Sequence, residues 1–120
     1  MSGLFDVDRE LSGVDVASLR ATVSNPSLPV STRGRAVMEM ARRTADAPDL
    51  LPEVKNLISD TSNREAITVG TTTVSQLGVA GLVVSGSRGS RALAEELARE
   101  WNRNQQDDFD WLMKRSGIKW

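Results

Sequence analysis

Residues 66–86 read AITVGTTTVSQLGVAGLVVSG, a run without a single charged side chain. Three structures compete for it: a buried helix, a β-hairpin, or part of a membrane span. A spanning helix needs about 20 consecutive, predominantly apolar residues, and Thr68, Thr71, Thr72, Thr73, Ser75 and Gln76 crowd the first half of the run. The polar content argues against a span. Valine and threonine favour extended backbone, and ITVGTTTV followed by GVAGLVV allows a hairpin around Ser75 to Gly78, although the alternation is poor. In helical register, Ala66, Gly70, Thr73, Leu77, Ala80, Gly81 and Val84 recur at steps of three and four. They draw a small-residue stripe, with Ile67 and Val74 beside it, along which another helix can approach closely. Upstream, Ser62 stands three residues before Glu65, the spacing of a capping box. The pattern predicts one long buried helix from about Asn63 to Val84, with the hairpin as the alternative.

The flanking sequence reads as further helices. Asp15 is an N-cap candidate for VASLRATVS, with Val14 placed before the cap to pack on Leu19, and Val16, Leu19 and Val23 sharing one face. NPSLPVS breaks that helix, and Ser31 is expected to cap TRGRAVMEMARRTAD, whose Val37, Met40, Ala41 and Thr44 face one way. Pro52 suits the first turn of a third helix with Val54, Leu57 and Ile58 inward. Farther on, Leu93, Leu97 and Trp101 recur at steps of four in RALAEELAREW. The polar run NRNQQDD then interrupts. A short last helix, FDWLMKRS, ends at Gly117, a left-handed cap, with Ile118 closing on Met113. The fold class expected is all-α: a small helical bundle or short array of about five or six helices, in a single domain over residues 1–120.

The chemistry the composition allows is narrow. With no histidine and no cysteine, a serine–histidine triad, a cysteine nucleophile and a conventional zinc site are excluded. No catalytic constellation, cofactor site or metal site is expected, and the chain reads as no enzyme. Fifteen basic and 16 acidic residues leave a net charge of −1, so nucleic acid or membrane binding would need a local patch. MSGLFDVDRE carries neither a basic n-region nor a long apolar stretch, which points away from a secretory signal and toward the cytoplasm. Asp6, Asp8 and Glu10 imitate the start of a calcium loop, but Leu11 replaces its turn glycine and Ala17 its final glutamate. Asp107, Asp108 and Asp110 read as acids favouring the first turn of the last helix.

Three places remain as candidate sites. The glycine loop GSRGSR is a candidate anion or phosphate site through Gly86, Arg88, Gly89 and Arg91. Its GSRG is also similar to the G-x-x-G loop of KH domains, which clamps a nucleic-acid backbone. A basic patch comprises Arg33, Arg35, Arg42 and Arg43, with Arg20 nearby; across residues 16–45 five arginines face one acid, Glu39. Aromatics gather late: Trp101 continues the Leu93–Leu97 stripe inward, leaving Trp111 and Trp120 as candidate contacts for a protein partner.

ASLRATVSNPSLPVSTRGRAVMEMARR and PEVKNLISDTSNREAITVGTTTVSQLG each pair a short helix, a break and a longer helix opening near arginine. In this the chain resembles HEAT-type helical repeats over roughly residues 14–84, as two helical-hairpin units with residues 87–120 as capping helices. The resemblance implies a binding scaffold. The expected function is thus a protein-interaction or assembly module, with a protein partner or self-association and no membrane. The alternative is a nucleic-acid-binding protein using the arginine patch and the glycine loop.

Overall fold

The computed structural model describes residues 11–119. Among them are seven α-helices and one small hairpin: α1 (Val16–Ser24), α2 (Val30–Arg42), α3 (Leu51–Ser59), α4 (Thr61–Glu65), β1 (Ile67–Val69), β2 (Thr72–Thr73), α5 (Val74–Ser85), α6 (Arg88–Ala98) and α7 (Arg103–Arg115). Single 3₁₀ turns, Arg43–Ala45 and Pro48–Leu50, join α2 to α3. The all-α class holds, with seven helices in place of five or six.

Residues 66–86 resolve into two structures. Ile67–Val69 pairs antiparallel with Thr72–Thr73, and only from Val74 does the chain become helical. The single long helix from Asn63 is therefore corrected, and so is the alternative turn, which falls at Gly70 and Thr71 instead of Ser75 to Gly78. Gly70 has φ +58°, a left-handed value that glycine adopts without strain. Thr68 Oγ1 donates to the Thr72 carbonyl at 2.9 Å across the turn. Thr73 then opens α5 with a capping box: Gln76 N–H donates to Thr73 Oγ1 at 3.1 Å, and Thr73 N–H donates to Gln76 Oε1 at 2.9 Å. Two such local closures outcompete continuation of the helix. The expected Ser62 cap also gives way, since the side chain of Asp60 accepts from the Ser62 and Asn63 N–H groups.

The core sits around α2 and α5. Every residue from Val74 to Val83 is buried, as are Ala36 to Ala41 on α2. Only the later part of the small-residue stripe, within α5, serves close approach: a Cβ built on Gly81 would run into the Met38 carbonyl oxygen and stand 2.8 Å from Ala41 Cβ, whereas nothing lies within 4 Å of one at Gly70. Helix α1 packs on α2 through Leu19, α3 on α5 through Val54 and Ile58, and α6 on α5 through Ala94 and Leu97. Asp15 caps α1 as expected, accepting from Ser18 N–H at 2.9 Å. Helix α2 starts at Val30 behind Pro29 with no side-chain cap, so Ser31 does not cap it.

The last helix differs most from expectation. NRNQQDD is not a loop: Asn102 caps α7 and Arg103–Asp108 form its first half, because Asn102 and Gln105 make a second capping box at 2.9 and 3.0 Å. Asp107, Asp108 and Asp110 consequently lie past the first turn, where the helix dipole gives them little. The C-terminal end matches the reading: Gly117 has φ +72°, its N–H bonds to the Lys114 carbonyl at 3.1 Å, and Ile118 N–H bonds to the Met113 carbonyl at 2.9 Å. That pair of bonds is a Schellman motif.

Candidate interaction surface

On α7, Phe109 and Met113 are buried and Leu112 is half-buried. Phe109 stacks on Trp101, with ring centroids 4.9 Å apart and planes inclined by 55°. Gln76 Nε2, from α5, donates to the Gln105 carbonyl at 3.0 Å and ties the start of α7 to the core. The helix is thus fixed by one face and capped at both ends. Its other face carries Arg103, Asn104, Asp107, Asp110, Trp111, Lys114 and Arg115, all exposed. Trp111 is 60% exposed, and the Arg115 guanidinium carbon lies 5.2 Å from its ring centroid. The expected division of the tryptophans is what the geometry gives for two of them: Trp101 is 8% exposed and Trp111 faces outward. Trp120 lies outside the described residues, as do Asp6, Asp8 and Glu10. Beside the start of α7, Glu95, Ala98, Arg99, Trp101 and Gln106 line an open cleft of about 310 Å³.

The arginine patch is largely consumed by internal pairing. Arg42 Nη2 and Arg43 Nε donate to Glu39 Oε2 at 2.6 and 2.7 Å, and the Glu39 side chain is only 1% exposed. Arg43 Nη2 also donates to the Leu11 carbonyl at 2.7 Å and the Ser12 carbonyl at 3.2 Å. Burial pushes the Glu39 carboxyl upward, but the hydrogen bonds of Arg42 and Arg43, with their charges, outweigh it and hold it below the usual carboxylate range. Arg20 meets Glu53 in a bidentate pair, at 2.7 Å for Nε to Oε2 and 2.8 Å for Nη2 to Oε1. Arg33 and Arg35 are half-buried, and the Arg33 Nε is buried without a hydrogen-bond partner. Of the four arginines, Arg42 and Arg43 are paired with Glu39, and Arg33 and Arg35 are half-buried. Guanidiniums already engaged by carboxylates have fewer donors left for phosphate.

The glycine loop shrinks to a two-residue link. Gly86 ends α5 at φ +75°, and Ser87 is already the N-cap of α6, accepting from Ser90 N–H at 3.1 Å. Arg88, Gly89 and Arg91 belong to the helix, and Arg91 Nη2 donates to the Lys119 carbonyl at 3.2 Å. Below that link runs a hydroxyl chain that the sequence did not reveal. Ser87 Oγ donates to Ser90 Oγ at 2.5 Å, Ser90 meets Thr44 Oγ1 at 2.6 Å, and Thr44 donates to the Ala41 carbonyl at 2.6 Å. It satisfies polar atoms buried between α6 and the end of α2. The role of Glu39 escapes sequence reasoning for a plain reason: one acid on an amphipathic helix reads as surface, and only its arginines at i+3 and i+4 hint otherwise.

Among the described residues, no three histidine, cysteine, aspartate or glutamate side chains stand close enough to hold a metal ion. No helix of the described residues is long and apolar enough to cross a membrane. Compared with known proteins, the chain matches no family model, no curated protein and no solved structure.

Proposed function

We propose that the chain is a non-enzymatic protein-interaction or assembly module of the cytoplasm, docking through the outward face of α7. The observation that carries this reading is Trp111, 60% exposed at the middle of a helix held at both ends by hydrogen-bonded caps. Interface energy concentrates in large, stiff aromatic side chains, and a partner meeting an already ordered helix avoids most of the ordering cost. The order of packing, α1 on α2, α2 on α5 and α3 on α5, is compatible with two stacked HEAT-like hairpins carrying α6 and α7. No observation favours the nucleic-acid alternative, because Arg42, Arg43 and Arg20 are engaged by Glu39 and Glu53.

The test is capture by immobilised chain, with bound protein and bound nucleic acid both quantified across a salt series. Wild type is expected to retain protein with little salt dependence, and Trp111→Ala to lose at least about tenfold in retention with only a small shift in melting temperature. Retention of nucleic acid that falls steeply with salt would replace this reading with the alternative.

A further inference from the structure

The outward face of α7 has an order of charges that identifies one occupant. Along its exposed stripe, Asn104, Asp107, Trp111 and Lys114 follow at steps of three, four and three, the spacing of a seam between two helices. Asp107 and Asp110 stand within about one turn before Trp111, and Lys114 and Arg115 within about one turn after it; Arg103, at the start of the same face, lies about two turns away. Asp107 and Lys114 stand seven residues apart, about two turns or 10 Å along the axis, with the tryptophan between them. A uniformly acidic or basic partner surface would match only half of this face. A second copy laid antiparallel matches both halves, because a twofold axis beside Trp111 sets Asp107 of each chain against Lys114 of the other. A parallel copy would set acid against acid.

We propose that the partner at this surface is a second copy of the same chain, paired antiparallel through α7 with the two Trp111 rings beside the twofold axis. This rests on the reading of α7 as the docking surface and names its occupant. One 13-residue helix offers less area than a standard interface of about 800 Å² per partner, so the dimer is weak and concentration-dependent. Its orientation comes from charge: opposite signs meeting twice favour the antiparallel register, and like signs reject the parallel one.

The decisive experiment is sedimentation of the full chain from about 10 μM to 1 mM, a range that brackets affinities of this order. Wild type is expected to shift from monomer to dimer across it. Lys114→Asp alone and Asp107→Lys alone each place like charges at both contacts, and each is expected to lower the dimerisation constant by roughly tenfold or more. Mixed in equal amounts, the two variants are expected to form a heterodimer. The unchanged Asp107 of the first then meets the unchanged Lys114 of the second, while the two introduced side chains, opposite in charge, meet at the other contact. Circular dichroism confirms that both variants are folded. Dimers indifferent to either reversal, or a mixture that stays monomeric, would overturn the pairing. So would a wild type monomeric throughout, an outcome that leaves the docking role of Trp111 to the capture assay, which needs no second copy.

Discussion

Helices α5 and α7 have 12 and 13 residues, and each begins with a capping box closed by glutamine, Thr73 with Gln76 and Asn102 with Gln105. Their surroundings are opposite. Helix α5 is buried from Val74 to Val83 without a break, whereas α7 buries Phe109 and Met113 and leaves a whole face in solvent. The same local device thus starts a helix whose every side is fixed by packing and one whose outer side is open. Substitutions on α5 are read by the core; those on the outer side of α7 are read by whatever the protein meets.

The largest effect expected comes from Gly81→Ala. The added methyl has no room beside the Met38 backbone, and relief requires α2 and α5 to move apart. Overpacking of this kind costs about 3 kcal/mol, of which alanine's better helix propensity returns about 1 kcal/mol. A net loss of roughly 2 kcal/mol in denaturant unfolding, with an unchanged slope, is the expected result. A neutral outcome would mean that the two helices are not in contact at this point. Gly70→Leu would not report on packing, since nothing lies within 4 Å of a Cβ there and only its φ of +58° is at issue.

Glu39→Gln probes the second thing that fixes the inner helices. It leaves Arg42 and Arg43 facing a neutral amide whose carbonyl still accepts, and loss of the charge assistance costs about 1–2 kcal/mol. The carboxyl is held below its usual range in the folded protein, so its contribution is present above the unfolded value near 4.3. That contribution is lost as pH falls through the folded value. Unfolding followed from pH 7 down to pH 3 should therefore show a shallower acid limb in the variant. The limb should not vanish, because the carboxyls of Glu53, Asp15 and Asp60 are also held low by their hydrogen bonds. Identical acid limbs would show that the Glu39 pairing does not differ between folded and unfolded chains.

What the sequence disclosed follows the same division. The close approach of α5 was legible because only small side chains permit it, and they leave a trace at Ala80 and Gly81. The inward turn of Trp101 was legible because it extends an apolar stripe. The hairpin was not, since valine, threonine and glycine at residues 67–73 satisfy a helical and an extended period equally well; the outcome turned on the backbone at Gly70 and the Thr73 cap. The first half of α7 was hidden because Arg103 to Asp108 has no apolar periodicity, and its helical signal is the Asn102–Gln105 box alone. As for the candidate surface, Trp111 was visible by elimination, and the i+3 and i+4 spacing of Arg42 and Arg43 from Glu39 gave only a hint of their pairing. The Arg20–Glu53 pair joins α1 to α3 across 33 residues, and spacing along the chain could not reveal it.

Asn102→Ala isolates that box. If local closure sets the start of α7, losing the cap should cost about 1 kcal/mol, and hydrogen exchange should quicken first at residues 103–106. On α5, Thr73→Ala removes the equivalent bond, yet packing from Val74 to Val83 is expected to keep that helix protected. Equal fraying of the two helices would erase the distinction between a helix held by its cap and one held by its core.

The smallest effect on stability is expected at Trp111→Ala, and that smallness is the point. The residue is largely in solvent, and within the chain the variant gives up the stacking of the Arg115 guanidinium on the ring, worth about 0.5 kcal/mol at an exposed site. Removing the exposed part of the ring costs nothing in folding, since that part is in water in both states, and only the covered remainder contributes. The melting temperature should therefore move less than for Asn102→Ala, which alters no buried side chain either but removes a backbone closure. A shift as large as that of the cap variant would make Trp111 a structural residue, and the outer face of α7 would then belong to the fold in the way α5 does. A negligible shift leaves a tryptophan whose large apolar ring does nothing for the folded monomer, which is the condition under which it can serve a contact between molecules.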